Sequence, residues 1–314
     1  MKTYVVRCAV SVLPVMLIVS FCVFSLVYLA PGDPAAVIAG DQASPADIAE
    51  VRARLGLDQP FLARYGAWVW QVAQGNLGES LFSGLPVTQL IAQRIEPTLS
   101  ILALTLPFSL LLAIPAGAFA ATRHNALADR ALTGLAILSY SLPAFLVAYL
   151  LAMVFAVQLR WLPVQGYSPL GEGVGPWLSH LILPVLTLSC SYIAIITRTT
   201  RSAMLETLNQ DYVRTARAKG LSRATVLYGH ALRNAGVPIA TIVGIGFASL
   251  IGGAAITETV FAIPGVGRLV VDAVLRRDYP IIQGVVLLFS AVFVLVNLLV
   301  DLIYAVIDPR VSYA

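Results

Sequence analysis

Six long apolar runs in this 314-residue chain limit what it can fold into. A run of this kind can cross a hydrocarbon core of about 30 Å as a helix that rises about 1.5 Å per residue. Hydrophobic residues make up 59% of the sequence and charged residues only 11%, which excludes an ordinary soluble domain. We therefore predict an all-α polytopic membrane protein with six transmembrane helices, at residues 8–30, 98–121, 131–157, 181–197, 238–262 and 281–307.

The distribution of basic residues predicts the orientation of these helices. Segment 198–236, between the fourth and fifth runs, carries seven lysines and arginines against two acidic residues, Glu206 and Asp211. Loops rich in lysine and arginine tend to stay on the cytoplasmic side of a membrane. An even number of spans puts both chain ends on that side too, so we predict cytoplasmic N and C termini. The first run exceeds the roughly 7–15 apolar residues of a signal peptide and is predicted to remain as a span.

Segment 31–97, between the first two runs, is predicted to form a small helical cap on the outer face. The sequence Ser-Pro-Ala-Asp that begins at Ser44 is typical of a helix start, and Gly56 can end that helix. A second helix is predicted over residues 61–74, ended by Gly75, and a third, shorter helix follows it. The alternative for the whole segment is a passive connector.

The predicted organisation has three parts. Residues 1–30 form the first transmembrane helix, residues 31–97 the outer helical segment, and residues 98–310 a five-helix transmembrane core. Within the core, residues 264–280 begin with a Pro-Gly turn and are predicted to form a short interfacial helix before the sixth span.

The sequence lacks a motif for nucleotide binding and a recognisable catalytic centre. A phosphate-binding loop of the GxxxxGK[ST] type needs a lysine that reaches the phosphates, and Lys219, followed by Gly220 and Leu221, does not complete it. Lys2, the only other lysine, cannot supply the motif either. The three histidines lie in separate segments, and no nucleophile is paired with a base. We predict no enzyme activity, no metal, no cofactor and no nucleic-acid partner for this chain.

Three polar residues within the apolar runs are candidates for a pore or a gate. Glu258 lies near the outer end of the fifth run, while Asn297 and Asp301 lie four residues apart on one face of the sixth. A charge at the centre of a span costs roughly 2.5–3.5 kcal/mol. The alternative at each position is a structural contact with a neighbouring span. A stand-alone ion-coupled carrier, the alternative from a different class of protein, needs more intramembrane charge than this sequence has.

Small residues crowd the fifth run, among them Gly244, Gly246, Gly252 and Gly253. Such residues let helices approach closely. Two interpretations stay open: tight packing within this chain, or an interface with another subunit or a moving pore wall.

The segment that begins at Asp211 has the signals of two helices joined by a fixed bend. Asp211 is placed to cap a helix over residues 212–219, and Gly220 can end that helix in a left-handed conformation. Ser222 can cap the next helix. A bent, basic and exposed helix is suited to docking a protein partner. The alternative is a topology signal that rests on anionic lipid.

At this segment the sequence resembles a known family. The stretch DYVRTARAKGLSRATVLYGHALRNAGVP (211–238) is similar to the inner-loop signature of permease subunits of bacterial ABC importers, in the peptide and nickel branch. Other stretches similar to that branch follow in order along nearly the whole chain: LAPGDPA (29–35), LGLDQP (55–60), ETVFAIPGVGRL (258–269), RRDYPIIQG (276–284) and VNLLVDLIYAVIDPR (296–310).

The inner loop departs from the general importer signature of Glu-Ala-Ala, then Gly, and later Leu-Pro. Gly220 holds the glycine position and Ala216 the second alanine. Arg214 stands where the glutamate would be, Thr215 at the first alanine, and Arg233 where the proline would be. These departures resemble the peptide and nickel branch.

The resemblance implies a type I ABC importer permease fold in the bacterial inner membrane, driven by ATP. The loop 198–236 would be a coupling loop, with a short coupling helix seated in a cleft of a cytosolic ATPase subunit. Two such ATPases would bind ATP and Mg²⁺, a second homologous permease would complete a heterodimeric pore, and a periplasmic binding protein would deliver substrate. Di- or oligopeptides are the favoured substrate, and nickel or a metal chelate is the alternative. The implied coupling residues are Asp211, Tyr212, Arg214, Thr215, Ala216, Arg217, Lys219, Gly220, Leu221 and Ser222.

Overall fold

A computed structural model describes residues 2–29, 34–39, 43–54 and 56–307, with side chains between 13 and 300 apart from 28–34, 37, 38, 40–42, 51, 54 and 55. Most of the described residues are helical, and none of them lies in a β-strand. The chain divides into two compact units, Met1–Ile95 with Leu269–Val294, and Glu96–Arg268 with Leu295–Ala314. The α-helices are α1 (Lys2–Leu29), α2 (Pro34–Ala39), α3 (Pro45–Arg54), α4 (Phe61–Ala73), α5 (Val87–Ala92), α6 (Ile95–Thr122), α7 (Leu127–Ser141), α8 (Ala144–Leu151), α9 (Val174–Leu208), α10 (Asp211–Ala218), α11 (Leu232–Asn234), α12 (Gly236–Val260), α13 (Val266–Arg276) and α14 (Tyr279–Ile307).

Among the described residues, four helices are long and apolar enough to cross a membrane. These are α6, α9, α12 and the part of α14 from Tyr279 to Val300. There is a fifth span if α7 and the bent helix that follows it, Ala144–Gln158, count together as one. Helix α1 includes residues 8–29 of the first predicted span, and its described apolar stretch is Leu13–Val27.

The third predicted span, residues 131–157, is not one continuous helix. It consists of α7, α8 and a π-helical segment, Ala152–Gln158, and the axis bends by 102° after Ser141. Pro143 causes the break because a proline has no N–H group and disfavours helical geometry at the preceding residue. Leu142 is accordingly extended, with φ −80° and ψ 129°.

The fourth predicted span, residues 181–197, was too short. Helix α9 has 35 residues, includes Pro184, and continues through Arg198 to Leu208. Consequently the first part of segment 198–236 is helix and not loop. The extension is stabilised by burial of Ala203 and Met204 in a cluster with residues that follow α10. Polar residues on the opposite side of this part of α9 interrupt the apolar run, so hydropathy alone did not predict the extension.

The helices predicted in the segment between the first two spans are confirmed. The Ser44 hydroxyl accepts a hydrogen bond from the Asp47 N–H at 3.3 Å, and the Asp47 carboxylate accepts one from the Ser44 N–H at 2.8 Å. This reciprocal capping fixes the start of α3. Gly56 and Gly75 take φ values of +62° and +83° after α3 and α4, which suits residues that end helices. The Ser44 hydrogen bonds lower the pKa of the Asp47 carboxyl.

Aromatic side chains pack α4 onto α1. The rings of Phe21 and Phe24 lie 5.6 and 5.4 Å from the ring of Phe61, both edge to face. Trp68 lies 5.3 Å from Phe24. Helix α4 is therefore attached to α1 by specific ring contacts, an arrangement that gives about 0.5–1.5 kcal/mol per aromatic pair beyond area burial.

Close packing within the chain accounts for several small residues of α12. A Cβ atom added at Gly246 would overlap the ring of Tyr192 on α9, and one at Gly244 would lie 2.7 Å from a methyl group of Val300. At Gly253 an added Cβ would lie 2.6 Å from a methyl group of Leu188. Gly252, by contrast, is exposed and has no atom within 4 Å of such a position. Tight packing within this chain, the first of the two interpretations of the small residues, therefore applies at Gly244, Gly246 and Gly253.

Gly246→Ala is expected to destabilise the protein by about 1–3 kcal/mol, the cost of overpacking a buried contact. The Tyr192 ring cannot move away cheaply, because its hydroxyl donates a hydrogen bond to the Val243 carbonyl oxygen at 2.8 Å. Gly252→Ala on the same helix is the matched control and is expected to stabilise by up to about 1 kcal/mol. Unfolding of the purified variants by SDS in mixed micelles measures both. Equal effects at the two positions would contradict the packing argument.

Candidate functional site

Helix α10 starts one residue earlier than predicted. Gln210 is the N-cap and makes no side-chain capping bond, while Asp211 lies in the first turn. The prediction that Asp211 caps the helix was therefore wrong. Its carboxylate instead lies 3.5 Å from Arg214, and both side chains are exposed. A carboxylate in a first turn still favours the helix, because it faces the positive end of the helix dipole.

Helix α10 ends just before Gly220, as predicted from the sequence. Gly220 has φ +80°. Its N–H donates to the Arg217 carbonyl oxygen at 3.0 Å, and the N–H of Leu221 donates to the Ala216 carbonyl oxygen at 3.3 Å. These two bonds form a Schellman motif, which satisfies carbonyl groups left open at a helix end. The direction in which the chain leaves α10 is therefore fixed.

The cap at Ser222 is confirmed. The Ser222 hydroxyl oxygen accepts a hydrogen bond from the Thr225 N–H at 3.1 Å. The helix that follows is π-helical over Thr225–Ala231 and continues into α11. A wider π-helical turn is a rare conformation, often found at functional sites, and the sequence did not predict it.

Only one side of α10 is buried. Val213, Ala216 and Val226 form a buried cluster, against which Leu208 packs. The other α10 side chains are exposed, including Arg214 and Arg217. Exposure continues through the bend that follows the helix. The packed side holds the helix against the protein, and the opposite side is an exposed basic surface. The exposed coupling residues predicted from the sequence are Asp211, Tyr212, Arg214, Thr215, Arg217, Lys219, Gly220, Leu221 and Ser222.

The Tyr212 side chain on α10 lies near Asn234 on α11, beyond the bend. Partial burial raises the pKa of its hydroxyl group, and a hydrogen bond with Asn234 opposes the rise. Asn234 in turn donates to the His230 carbonyl oxygen at 2.7 Å. Tyr212 therefore lies beside the helix that follows the bend.

A buried ion pair, which the sequence reasoning missed, lies at the same end of the second unit. Nε and Nη2 of Arg201 on α9 donate to the two carboxylate oxygens of Asp129 at 2.5 and 2.7 Å. The Asn125 N–H donates to the same carboxylate at 2.9 Å, and His124 Nδ1 lies 3.7 Å from it. This contact attaches the turn between α6 and α7 to α9. The sequence signal that could have predicted this pair was the position of the two residues, since Asp129 and Arg201 each lie at the edge of an apolar run.

Glu258, a predicted pore or gate residue, is fully buried at the end of α12. Its carboxylate accepts hydrogen bonds from the Thr98 hydroxyl at 2.6 Å and from the Arg268 N–H at 2.8 Å. The Thr98 hydroxyl oxygen accepts the Val266 N–H at 2.8 Å. A Cβ at Gly265 would overlap the carboxylate. Glu258 therefore satisfies the Arg268 N–H in the first turn of α13, where the helix dipole favours a negative charge, and Thr98 satisfies the Val266 N–H.

The other two pore or gate candidates lie on α14. Asn297 is half-buried. Asp301 lies within the helix four residues later, and its side chain lies outside the described residues. Among the described side chains, neither Glu258 nor Asn297 belongs to the buried cluster that holds α10.

Two family profiles match the chain over nearly its full length. The profile described as "Binding-protein-dependent transport system inner membrane component" matches residues 113–313. A profile for the N-terminal part of the same kind of component matches residues 1–113. The boundary between the two matches falls within α6.

Curated relatives cover the whole chain. It is 52% identical over 313 residues to a protein of Sinorhizobium fredii named as a probable peptide ABC transporter permease protein, y4tP, with 100% of both chains covered. It is 43% identical over 313 residues to the glutathione transport system permease protein GsiC of Salmonella choleraesuis, again with 100% of both covered. Among solved structures, a chain of the MetNI methionine ABC transporter in an inward facing conformation matches with a TM-score of 0.59 and 16% identity, covering 70% of this chain and 97% of that one. That likeness shows the fold.

Proposed function

We propose that this chain, which belongs to the family of binding-protein-dependent transport system inner membrane components, forms half of the translocation pathway of an ATP-driven importer for di- or oligopeptides. The chain is a permease subunit of an ABC transporter and a multi-pass inner membrane protein, not itself an enzyme. The names of the relatives support peptides over nickel or a metal chelate as the transported class.

In the proposed topology, six spans place both termini in the cytoplasm. Helix α1 supplies the first span, and α7, α8 and the π-helical segment that follows them together supply the third. Residues 31–97 then face the periplasm, and α10 faces the cytoplasm. The strongly basic segment that contains α10 supports this orientation, because basic loops are retained on the cytoplasmic side.

Helix α10 is proposed to be the coupling helix that receives the movement of a cytosolic ATPase. The observation that carries this proposal is its one-sided packing: Val213 and Ala216 fix it to the protein, while its basic side and its capped end stay exposed. A helix held in this way transmits a push to α9 through Leu208, which packs against the same cluster. ATP and Mg²⁺ would bind to two ATPase subunits and not to this chain.

Three further kinds of partner complete the proposed assembly with the ATPases. A second, homologous permease would form the other half of the pathway, a periplasmic binding protein would deliver the peptide, and the lipid bilayer would surround the spans. Segment 198–236 remains the proposed site for coupling. Glu258, Asn297 and Asp301 remain proposed sites for the pathway.

Gly220→Pro is expected to reduce both peptide uptake and peptide-stimulated ATP hydrolysis by at least about tenfold. Proline cannot adopt φ +80° and has no N–H for the Arg217 carbonyl oxygen. Backbone strain of about 1–3 kcal/mol and the loss of a hydrogen bond worth about 0.5–1.5 kcal/mol exceed the 1.4 kcal/mol that a tenfold change requires. Radiolabelled dipeptide and tripeptide uptake into proteoliposomes with the cognate partners measures the effect.

The matched control is Gly75→Pro, which makes the same change at a glycine with φ +83° in the same kind of helix end, on α4. This variant is expected to keep the ATPase subunits bound during purification. Normal uptake and ATP hydrolysis in a folded Gly220→Pro variant would disprove coupling through α10. Uptake of chelated nickel without uptake of peptides by the wild type would disprove the proposed substrate class.

A further inference from the structure

A large groove opens beside α10 in the second unit. Its volume is about 1030 Å³, at the upper end of the roughly 300–1,000 Å³ typical of small-molecule sites. One wall is the end of α6 with the turn that follows it, the floor is the end of α9, and the other wall begins at Arg217 and runs to Tyr228. We call this the basic groove, because Arg123, Arg217 and Arg223 line it together with His124.

The charge of the basic groove is not balanced by carboxylates. No aspartate or glutamate is among its lining residues. Within the described part of the chain, Arg123, Arg217 and Arg223 form no ion pair. Arg201, close by on α9, differs because Asp129 pairs with it. The groove therefore offers three arginines to a negatively charged ligand.

Apolar side chains line the same groove. Phe119, Leu205 and Leu208 come from the ends of α6 and α9, and Leu227 comes from the opposite wall. The Arg123 guanidinium lies 5.9 Å from the centre of the Phe119 ring, so its charge sits directly beside apolar surface. Both α6 and α9 are candidate membrane spans, and the groove lies where they end. A ligand that fits must be anionic at one end and apolar at the other.

We propose that the basic groove binds an anionic phospholipid, with the headgroup phosphate between Arg123 and Arg223 and the start of the acyl chains against Phe119 and Leu205. This proposal rests on the cytoplasmic orientation given above, which places the groove at the inner membrane surface. Acidic segments of a protein partner would satisfy the arginines but leave the apolar wall uncovered, so the combination of charges and apolar surface favours a lipid. An arginine near an anionic membrane surface contributes roughly 1 kcal/mol.

The test is binding of phosphatidylglycerol to the full-length chain in dodecyl maltoside, an uncharged detergent that provides no charged membrane surface. Native mass spectrometry counts bound lipid, with phosphatidylcholine as the uncharged comparison. The wild type is expected to retain phosphatidylglycerol preferentially. The double variant Arg123→Gln/Arg223→Gln is expected to bind it about thirtyfold more weakly, from roughly 1 kcal/mol for each hydrogen bond lost between an arginine and the phosphate. Arg217 is left unchanged because it belongs to the proposed coupling surface.

The matched control is Arg198→Gln/Arg233→Gln, which removes the same charge from exposed positions outside the groove. It is expected to bind phosphatidylglycerol like the wild type. Equal loss in both double variants, or no preference for phosphatidylglycerol in the wild type, would overturn the proposal. The proposal would also be overturned if inorganic phosphate alone protected the wild type from heat as well as phosphatidylglycerol does. It would be overturned, too, if the groove variant lost the ATPase subunits without any change in lipid binding. None of these results depends on Gly220, so failure of this proposal and failure of coupling through α10 are distinguishable.

Discussion

Glu258→Ala is expected to lower the free energy of unfolding by about 2–6 kcal/mol, because it leaves two buried donors without an acceptor at a cost of about 1–3 kcal/mol each. The carboxylate accepts the Thr98 hydroxyl and the Arg268 N–H, and neither donor is expected to find another acceptor in a fully buried position. Removing it also takes a negative charge from the first turn of α13. Unfolding by SDS in mixed micelles, followed by far-UV circular dichroism, measures the loss.

Glu258→Gln separates the charge from the shape of this side chain. The amide has one acceptor oxygen where the carboxylate has two, so one of the two donors loses its acceptor. The expected cost is about 1–3 kcal/mol, the penalty of a buried donor left unsatisfied. A glutamine variant as unstable as the alanine variant would show that the negative charge, and not the geometry of the hydrogen bonds, provides the stability.

Thr98 provides a matched pair of variants for the same cluster. Its hydroxyl donates to Glu258 and accepts from the Val266 N–H, and it is buried. Thr98→Val is expected to cost about 1–3 kcal/mol. Thr259→Val changes an exposed threonine whose hydroxyl only donates to the Ala255 carbonyl oxygen in its own helix, and is expected to stay within about 0.5 kcal/mol of the wild type.

A double-mutant cycle between Thr98→Val and Glu258→Ala tests whether the two side chains act together. Residues in direct contact commonly couple by about 0.5–3 kcal/mol, whereas independent residues add. Additive losses, or equal losses for Thr98→Val and Thr259→Val, would contradict the hydrogen-bonded cluster and return Glu258 to consideration as a pore residue alone.

Features set by neighbouring residues were predictable from the sequence. The helix ends at Gly56, Gly75 and Gly220 each need a positive φ, which glycine adopts without strain, and Ser44 and Ser222 accept N–H groups within three residues of themselves. These signals are local, so one sequence suffices to identify them. They also predict the bend after α10.

Small shifts in helix boundaries and one broken span were harder to predict. Asp211 and Gln210 are adjacent polar residues, and packing of Val213 against Val226 decides which of them begins α10. The third run stays apolar across Pro143, so hydropathy alone joined two helices that a proline separates by 102°.

Contacts between distant parts of the sequence could not be predicted at all. Thr98 and Glu258 are 160 residues apart, and Asp129 and Arg201 are 72 residues apart. A hydrophobic pattern indicates which face of a helix is buried, but not which polar residue on another helix it meets. Residues that satisfy one another across a fold therefore appear in the sequence as isolated charges.

Arg201→Gln is expected to lower the free energy of unfolding by about 3–5 kcal/mol, because it leaves a buried carboxylate without its main partner. The Asp129 side chain is only 3% exposed, whereas that of Arg201 is 24% exposed. Asp129→Asn is therefore expected to cost less, about 1.5–3 kcal/mol, since the remaining guanidinium can be hydrated. Unfolding by SDS in mixed micelles measures the order of the two.

Asp211→Asn is the matched control, since it makes the same substitution in a pair whose side chains are 96% and 75% exposed. An exposed pair contributes about 0–1 kcal/mol, so this variant should be nearly as stable as the wild type. The double variant Asp129→Leu/Arg201→Met then decides why the single variants are unstable. Replacing both partners of a buried pair by apolar residues is often neutral, so the double variant is expected to be more stable than Arg201→Gln. If it is instead less stable, the bidentate contact itself, and not the cost of an unpaired buried charge, holds the turn between α6 and α7 against α9.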